Sequence, residues 1–480
     1  MKKSKFLSAL KQLDVEELAD FGQFLKLYHR KDKTALRVFR YVQAFNPDFD
    51  SNALSTDQVY LKIYKEQLPE APSAVRNTKV KKLLNKFSEL SLWLKDFLWY
   101  QKISTPSVER DLIWSTILME RKMDRELKKH RLSLKEAIKS TLPTDVPGYL
   151  NQMLASYLTN YVSANQAGEK VQNSIPNFIE NLDSFYAVTR LKLACVIETH
   201  KFLKGEINPD TASAFPLNSL MAIVSSSQIQ NNPLIAIYLE MLILIINANK
   251  NNYGKVKAML KENLDCIAPG ERFEILVALQ NYAAIQIRLG NREFMGLAHD
   301  MNVFGVENGF FTKDGIISAN YYTSIINTAC KESAWDWVQN FAVEYAPQLP
   351  PDIQEKVSKL GKAIILFEKG NYSDVISTLQ GLVFSDPHSE IRSRSMILMS
   401  NQELKEDIRY LLPYCHAFEQ YLMNRYKKDK SDIINASLNF VRTSKKIIIG
   451  TKDKAELIAE IQSFKLLYYR TWLLRQAGLL

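Results

Sequence analysis

The chain has 480 residues, with 62 Lys and Arg against 52 Asp and Glu, and its 46% apolar composition with 11% aromatics excludes wholesale disorder. Glycine and proline stand at 16 each, too few for the tight turns of a sheet protein, so an all-α fold is expected. Basic residues outnumber acidic ones 28 to 18 up to residue 143 and 12 to 5 over 425–480, whereas over 144–424 they number 22 against 29. Such basic ends attract a polyanion, an acidic partner or the acidic middle segment.

Lys2, Lys3 and Lys5 precede Phe6 and Leu7, but Lys11, Gln12 and Asp14 interrupt the apolar run before a signal-peptide core forms, so a cytoplasmic location is expected. Asp14 and Glu17 have the spacing of a capping box and predict a helix start, followed by Leu18, Phe21, Leu25 and Tyr28 on one face. Ser55 with Gln58 predicts a second start, ahead of Val59 and Ile63, and Pro69 and Pro72 end that segment. From Ser73 to about Tyr100 a long helix is expected, with Val80, Leu83, Phe87, Leu90, Leu94 and Phe97 as its apolar stripe. Between Pro106 and Pro143 a stripe from Leu112 through Met119, Met123, Leu127 and Leu134 to Ala137 predicts one continuous helix. Pro143, Pro147 and Gly148 mark a boundary. The run Ile235 to Ile246 contains Glu240 and is shorter than the ~20 residues of a membrane span, so it reads as a buried helix.

Internal repetition follows. Lys250-Asn251-Asn252-Tyr253-Gly254-Lys255-Val256 with Leu260 matches Lys369-Gly370-Asn371-Tyr372-Ser373-Asp374-Val375 with Leu379. Looser copies align positions 292, 335 and 405 with 253 and 372, giving intervals of 39, 43, 37 and 33. Such periods belong to stacked helical hairpins, in which glycine or asparagine makes the turn and valine opens the buried face of the second helix. Residues 356–389 resemble a tetratricopeptide repeat: Ala363 stands at the close-packing position, Gly370 and Tyr372 at the turn, and Asp386-Pro387 closes the unit. Val375 departs from the usual alanine, and the period is irregular, so the resemblance implies a degenerate solenoid. The layout also resembles a group of uncharacterised bacterial all-helical proteins of similar length, through Phe21-Gly22-Gln23-Phe24-Leu25, through 181–195, and through Tyr469-Arg470-Thr471-Trp472. That resemblance implies no activity.

The expected organisation is a basic N-terminal helical module (1–105), a long connecting helix (106–143), degenerate hairpin repeats (144–424) and basic C-terminal capping helices (425–480). Chemistry-bearing signals are sparse. The six histidines (His29, His130, His200, His299, His388 and His416) are scattered singly, and Cys195, Cys266, Cys330 and Cys415 lie far apart, so no metal is expected. Cys415-His416 and Glu198-x-His200 are the local heteroatom pairs, and Glu406-Asp407 a carboxylate pair of the kind found on solvated helices. No phosphate-cradling glycine motif or nucleophile elbow is present, so neither cofactor nor catalytic residue is assigned. Arg76, Lys79, Lys82 and Lys86 recur at 3, 3 and 4 and form the candidate polyanion or partner contact. Lys427, Lys428, Lys430, Lys445 and Lys446 make a second basic patch. The expected role is a non-catalytic protein- or peptide-binding scaffold. Nucleic-acid binding through the N-terminal module and an enzyme with a site assembled from distant repeats are the alternatives.

Overall fold

The computed structural model describes residues 4–47, 49, 51–70, 73–140, 142–161, 171–204, 217–224, 232–247, 250–288, 291–426, 432–450 and 453–479. They fall into two compact units, Met1–Leu142 with Pro147–Leu182 and Pro143–Val146 with Asp183–Leu480. Helices dominate both. The strands among the described residues are β1 (Thr312–Lys313) and β2 (Ile316–Ile317), an antiparallel ribbon in the second unit.

The first unit contains α1 (Lys5–Leu10), α2 (Val15–Tyr28), α3 (Lys33–Gln43), α4 (Thr56–Tyr64), α5 (Ala74–Ser104), α6 (Val108–Glu120), α7 (Asp124–Ser140), most of α8 (Val146–Ser156) and the start of α9 (Val171–Lys204). Its helix starts follow the capping chemistry of the sequence. Asp14 and Glu17 form the reciprocal capping box, Ser55 accepts from the Gln58 amide, and Ser73 caps α5 through the Arg76 amide. The stripe of α5 is buried at Leu83, Phe87, Leu90, Leu94 and Phe97, and α1 to α4 pack around it. Phe21 sits at the centre, 5.1 Å from Phe39 and 5.5 Å from Phe97 between ring centroids. In α2 the last buried aromatic is Phe24; Tyr28 is exposed.

One expected helix is two. Instead of running unbroken over 106–143, the chain ends α6 and starts α7 at a turn where Lys122 takes φ 55°. The Lys122 amide bonds to the Met119 carbonyl and the Met123 amide to the Leu118 carbonyl, the paired closure of a Schellman turn. Main-chain bonds close it, so no glycine announces it. The buried row accordingly shifts to Ser115, Leu118, Leu127 and Leu134.

The second unit continues α9 and adds α10 (Leu217–Val224), α11 (Pro233–Asn247), α12 (Lys250–Glu262), α13 (Pro269–Arg288), α14 (Phe294–Glu307), α15 (Ala319–Lys331), α16 (Trp335–Tyr345), α17 (Gln354–Glu368), α18 (Tyr372–Leu379), α19 (Pro387–Glu403), α20 (Ile408–Arg425), α21 (Asp432–Ile449), α22 (Lys454–Ser463) and α23 (Arg470–Leu479). From α11 to α20 each helix packs on its successor as a hairpin, and the hairpins stack into an α-solenoid. The apolar run at 235–246 is the buried helix α11.

The repeat register is visible in the turns. First helices end in the same bond: Asn291 amide to Gln286 carbonyl, Ala334 to Ala329, Asn371 to Leu366 and Glu406 to Asn401, at 2.9 to 3.0 Å. The left-handed residues at the last three are Ser333, Gly370 and Lys405. The last alignment therefore moves by two: Lys405 corresponds to Ser333 and Gly370, not to Trp335 and Tyr372. Val256 and Val375 are fully buried, as are Leu260 and Leu379. Their shared heptapeptide nevertheless sits differently, because Tyr253 lies inside α12, whereas Tyr372 opens α18 after the Gly370 turn. Tyr253 is sealed between Tyr282 and Phe294; Tyr372 rests half-buried on Phe367. Ala363 is fully buried, and two residues before it Gly361 marks a close approach of first helices, where a Cβ would stand 2.8 Å from Tyr322 and Ile326.

Candidate functional site

The candidate cations lie along α5, and three of the four are engaged within their own unit. Arg76 donates to Asp57 Oδ1 at 2.7 Å and to the Pro69 carbonyl at 2.5 Å, while Lys79 pairs with Glu66. Lys86 Nζ lies 2.7 Å from both Asp32 Oδ2 and Glu89 Oε2. Lys82 is exposed and sits 5.0 Å over the Tyr64 ring. The side chains of Arg76, Lys79 and Lys86 are only 25%, 26% and 21% exposed, because the carboxylates of α4 and of the loops flanking α3 and α4 draw them down. Burial alone would raise the Asp32 carboxyl, but Lys86 and the amides of Ala35 and Thr34 outweigh it and hold it below its ordinary value. In the second basic patch, Lys446 pairs with Glu460 and Lys445 stands 3.5 Å from His416 Nδ1. Lys427, Lys428 and Lys430 lie outside the described residues.

Two polar convergences escaped the sequence. Glu271, 5% exposed, accepts from the Tyr238 hydroxyl at 2.5 Å and from Lys192 at 2.9 Å, and Lys192 also reaches Glu274 at 2.6 Å. Burial, then the Glu271 carboxylate, holds the Tyr238 phenol protonated, while the two glutamates overcome burial to keep Lys192 charged. Helices α9, α11 and α13 are clamped by this group. Farther along, Glu403 Oε1 accepts from Trp472 Nε1 at 2.6 Å, from Gln476 Nε2 at 2.8 Å and from Arg475, which docks α23 on α19. In both groups the charged oxygens already hold bonds to neighbouring helices, which suits clamping better than proton transfer.

The local pairs do not converge. Cys415 is fully buried, with its thiol pushed up to about 12 by burial, while His416 points outward toward Lys445. The His200 side chain lies outside the described residues. Asp407 is the cap of α20 and is bound to the Arg409 guanidinium, which lowers its carboxyl. His29 stacks on Trp93 at 3.9 Å, His130 Nε2 lies 2.9 Å from the Asp111 carbonyl, and His299 meets Trp337 edge-on. Among the described residues no three His, Cys, Asp or Glu side chains gather to hold a metal ion, no helix is long and apolar enough to cross a membrane, and the four cysteines are free thiols. A recess of about 110 Å³ beside Lys356, Phe384 and Asp386 is smaller than the ~300 Å³ at which small-molecule pockets begin. No family model, curated protein or solved structure matches the chain.

Proposed function

We propose that the chain is a non-catalytic, tetratricopeptide-like helical-repeat scaffold that binds a protein or peptide partner along its second unit. The observation that supports this most is the repeated hairpin: four first helices end in the same main-chain bond, and each hairpin stacks on the next. A stack of this kind presents a long surface whose side chains are released from the task of folding. Exposed apolar residues gather at the turn between α19 and α20, where Leu404, Ile408 and Tyr410 are 42%, 43% and 51% exposed. Aromatic and aliphatic anchors of this kind carry most of the energy of protein interfaces.

The test is recovery of the tagged chain from its native cells at native abundance, with stoichiometry measured by quantitative mass spectrometry. A partner retained in fixed ratio by the wild type and reduced at least tenfold by Ile408→Ser with Tyr410→Ala is the expected result. A wild-type chain recovered alone, or equal retention by the double variant, counts against the scaffold and against this turn as its anchor respectively.

A further inference from the structure

Three of the four candidate cations of α5 are paired, whereas helix α7 carries a row of cations that are not. It turns Leu127 and Leu134 inward, and His130 rests on the Asp111 carbonyl of α6. On the opposite side Arg125, Lys128, Lys129 and Lys135 are exposed, and Arg121 and Lys122 extend the row through the turn before the helix. At 100° per residue the four helical cations fall within about 120° of one face. None of the six side chains makes an ion pair or hydrogen bond. One carboxylate, Glu136, stands within that arc among the described residues.

The make-up of the face discriminates among polyanions. Among the described residues its exposed apolar side chains are Leu132 within the arc and Met123 in the turn before it, whereas a protein partner draws affinity from a cluster of buried anchors. It carries no aromatic ring on which an unpaired base would stack. What it offers is a cationic row about 15 Å long on one helix from Arg125 to Lys135, with Arg121 and Lys122 in the turn at its start, and over about 15 Å a duplex presents on the order of nine phosphates. We propose that this face of α7 binds the phosphate backbone of duplex nucleic acid without reading its sequence.

The experiment uses the full chain and a labelled 20-base-pair DNA duplex, with affinity measured by fluorescence anisotropy across a salt series. Each phosphate contacted adds about −0.9 to the slope of log affinity against log salt, so six contacts set a limit near −5. The triple variant Arg125→Gln, Lys128→Gln, Lys129→Gln should lose on the order of 100-fold in affinity at low salt and about 2.7 of the slope, with its circular dichroism unchanged. Lys128→Arg with Lys129→Arg should bind like the wild type, and Arg76→Gln with Lys79→Gln, whose cations are already paired, should change affinity less than threefold. Absence of duplex binding by the wild type at 50 mM salt, or wild-type affinity and slope in the triple variant, overturns the proposal. So does tighter binding of polyglutamate or of phosphatidylserine vesicles than of the duplex, which assigns the face to an acidic protein or a lipid surface.

Discussion

Gly361 stands where two first helices come so close that a Cβ would overlap Tyr322 and Ile326. Replacing it with valine forces those rings and chains apart and should destabilise by about 2 kcal/mol. The other nearby glycine works differently: Gly370 has φ 82° and open space around its Cα, so alanine there strains the backbone without a clash. Thermal melts of Gly361→Val and Gly370→Ala should show the larger loss at 361, and equal losses would refute the close approach. His299 adds a pH effect. Burial lowers its pKa below the ordinary 6.5, with Asp300 and Glu332 opposing, and its Nδ1 has no partner. A folded pKa below the unfolded one favours the neutral ring, so this stability is present above pH 6.5 and declines as the pH falls from there through the folded value. His299→Leu should therefore flatten the fall in melting temperature between pH 7 and pH 5; a slope as steep as the wild type's would show that other groups cause it.

At the level of elements, Glu403 of α19 gathers three donors of α23, beside the apolar packing of Leu473 and Ala477. Glu403→Ala leaves the indole N–H of the nearly buried Trp472 unpaired, at a cost of about 1 to 3 kcal/mol. Hydrogen exchange should accelerate over residues 470–479 while α17 stays protected. Unchanged exchange in α23 would show that its apolar packing suffices. Which elements could be foreseen follows from the range of the interactions that define them. The starts at Asp14 and Ser55 were legible because each cap and its partner lie three residues apart, and the helix after Ser73 because its apolar stripe begins just past two prolines. The break at Lys122 was hidden, since a turn closed by the main chain needs no particular letter. The pairing of the α5 cations was equally hidden: Asp57, Glu66 and Asp32 lie 19, 13 and 54 residues from their partners. Apolar periodicity drew attention to the buried stripe of α7 and away from the cations opposite it.

Across the whole molecule, two units with cores of their own predict two unfolding transitions. Leu90→Ala removes a fully buried side chain from the first unit and should lower one transition by about 2 to 5 kcal/mol. Val375→Asp places an unpaired carboxylate in the second and should lower the other by about 3 kcal/mol or more. Calorimetry of the two variants decides this: if each shifts a single shared transition, the units melt together. The fold class was legible at this scale because hydrophobic period and glycine scarcity are averages over hundreds of residues. The Glu271 and Glu403 clamps were not, since they join residues tens of positions apart.

The hairpin turns have a consequence for heredity. Serine, glycine and lysine occupy equivalent left-handed positions at 333, 370 and 405, and the bonds that close each turn belong to the main chain. Mutation can thus rewrite the alphabet of these corners while the path of the chain stays put. Shape and spelling in such an array are inherited at different speeds, and descendants of one ancestor can keep its curve long after its words have gone.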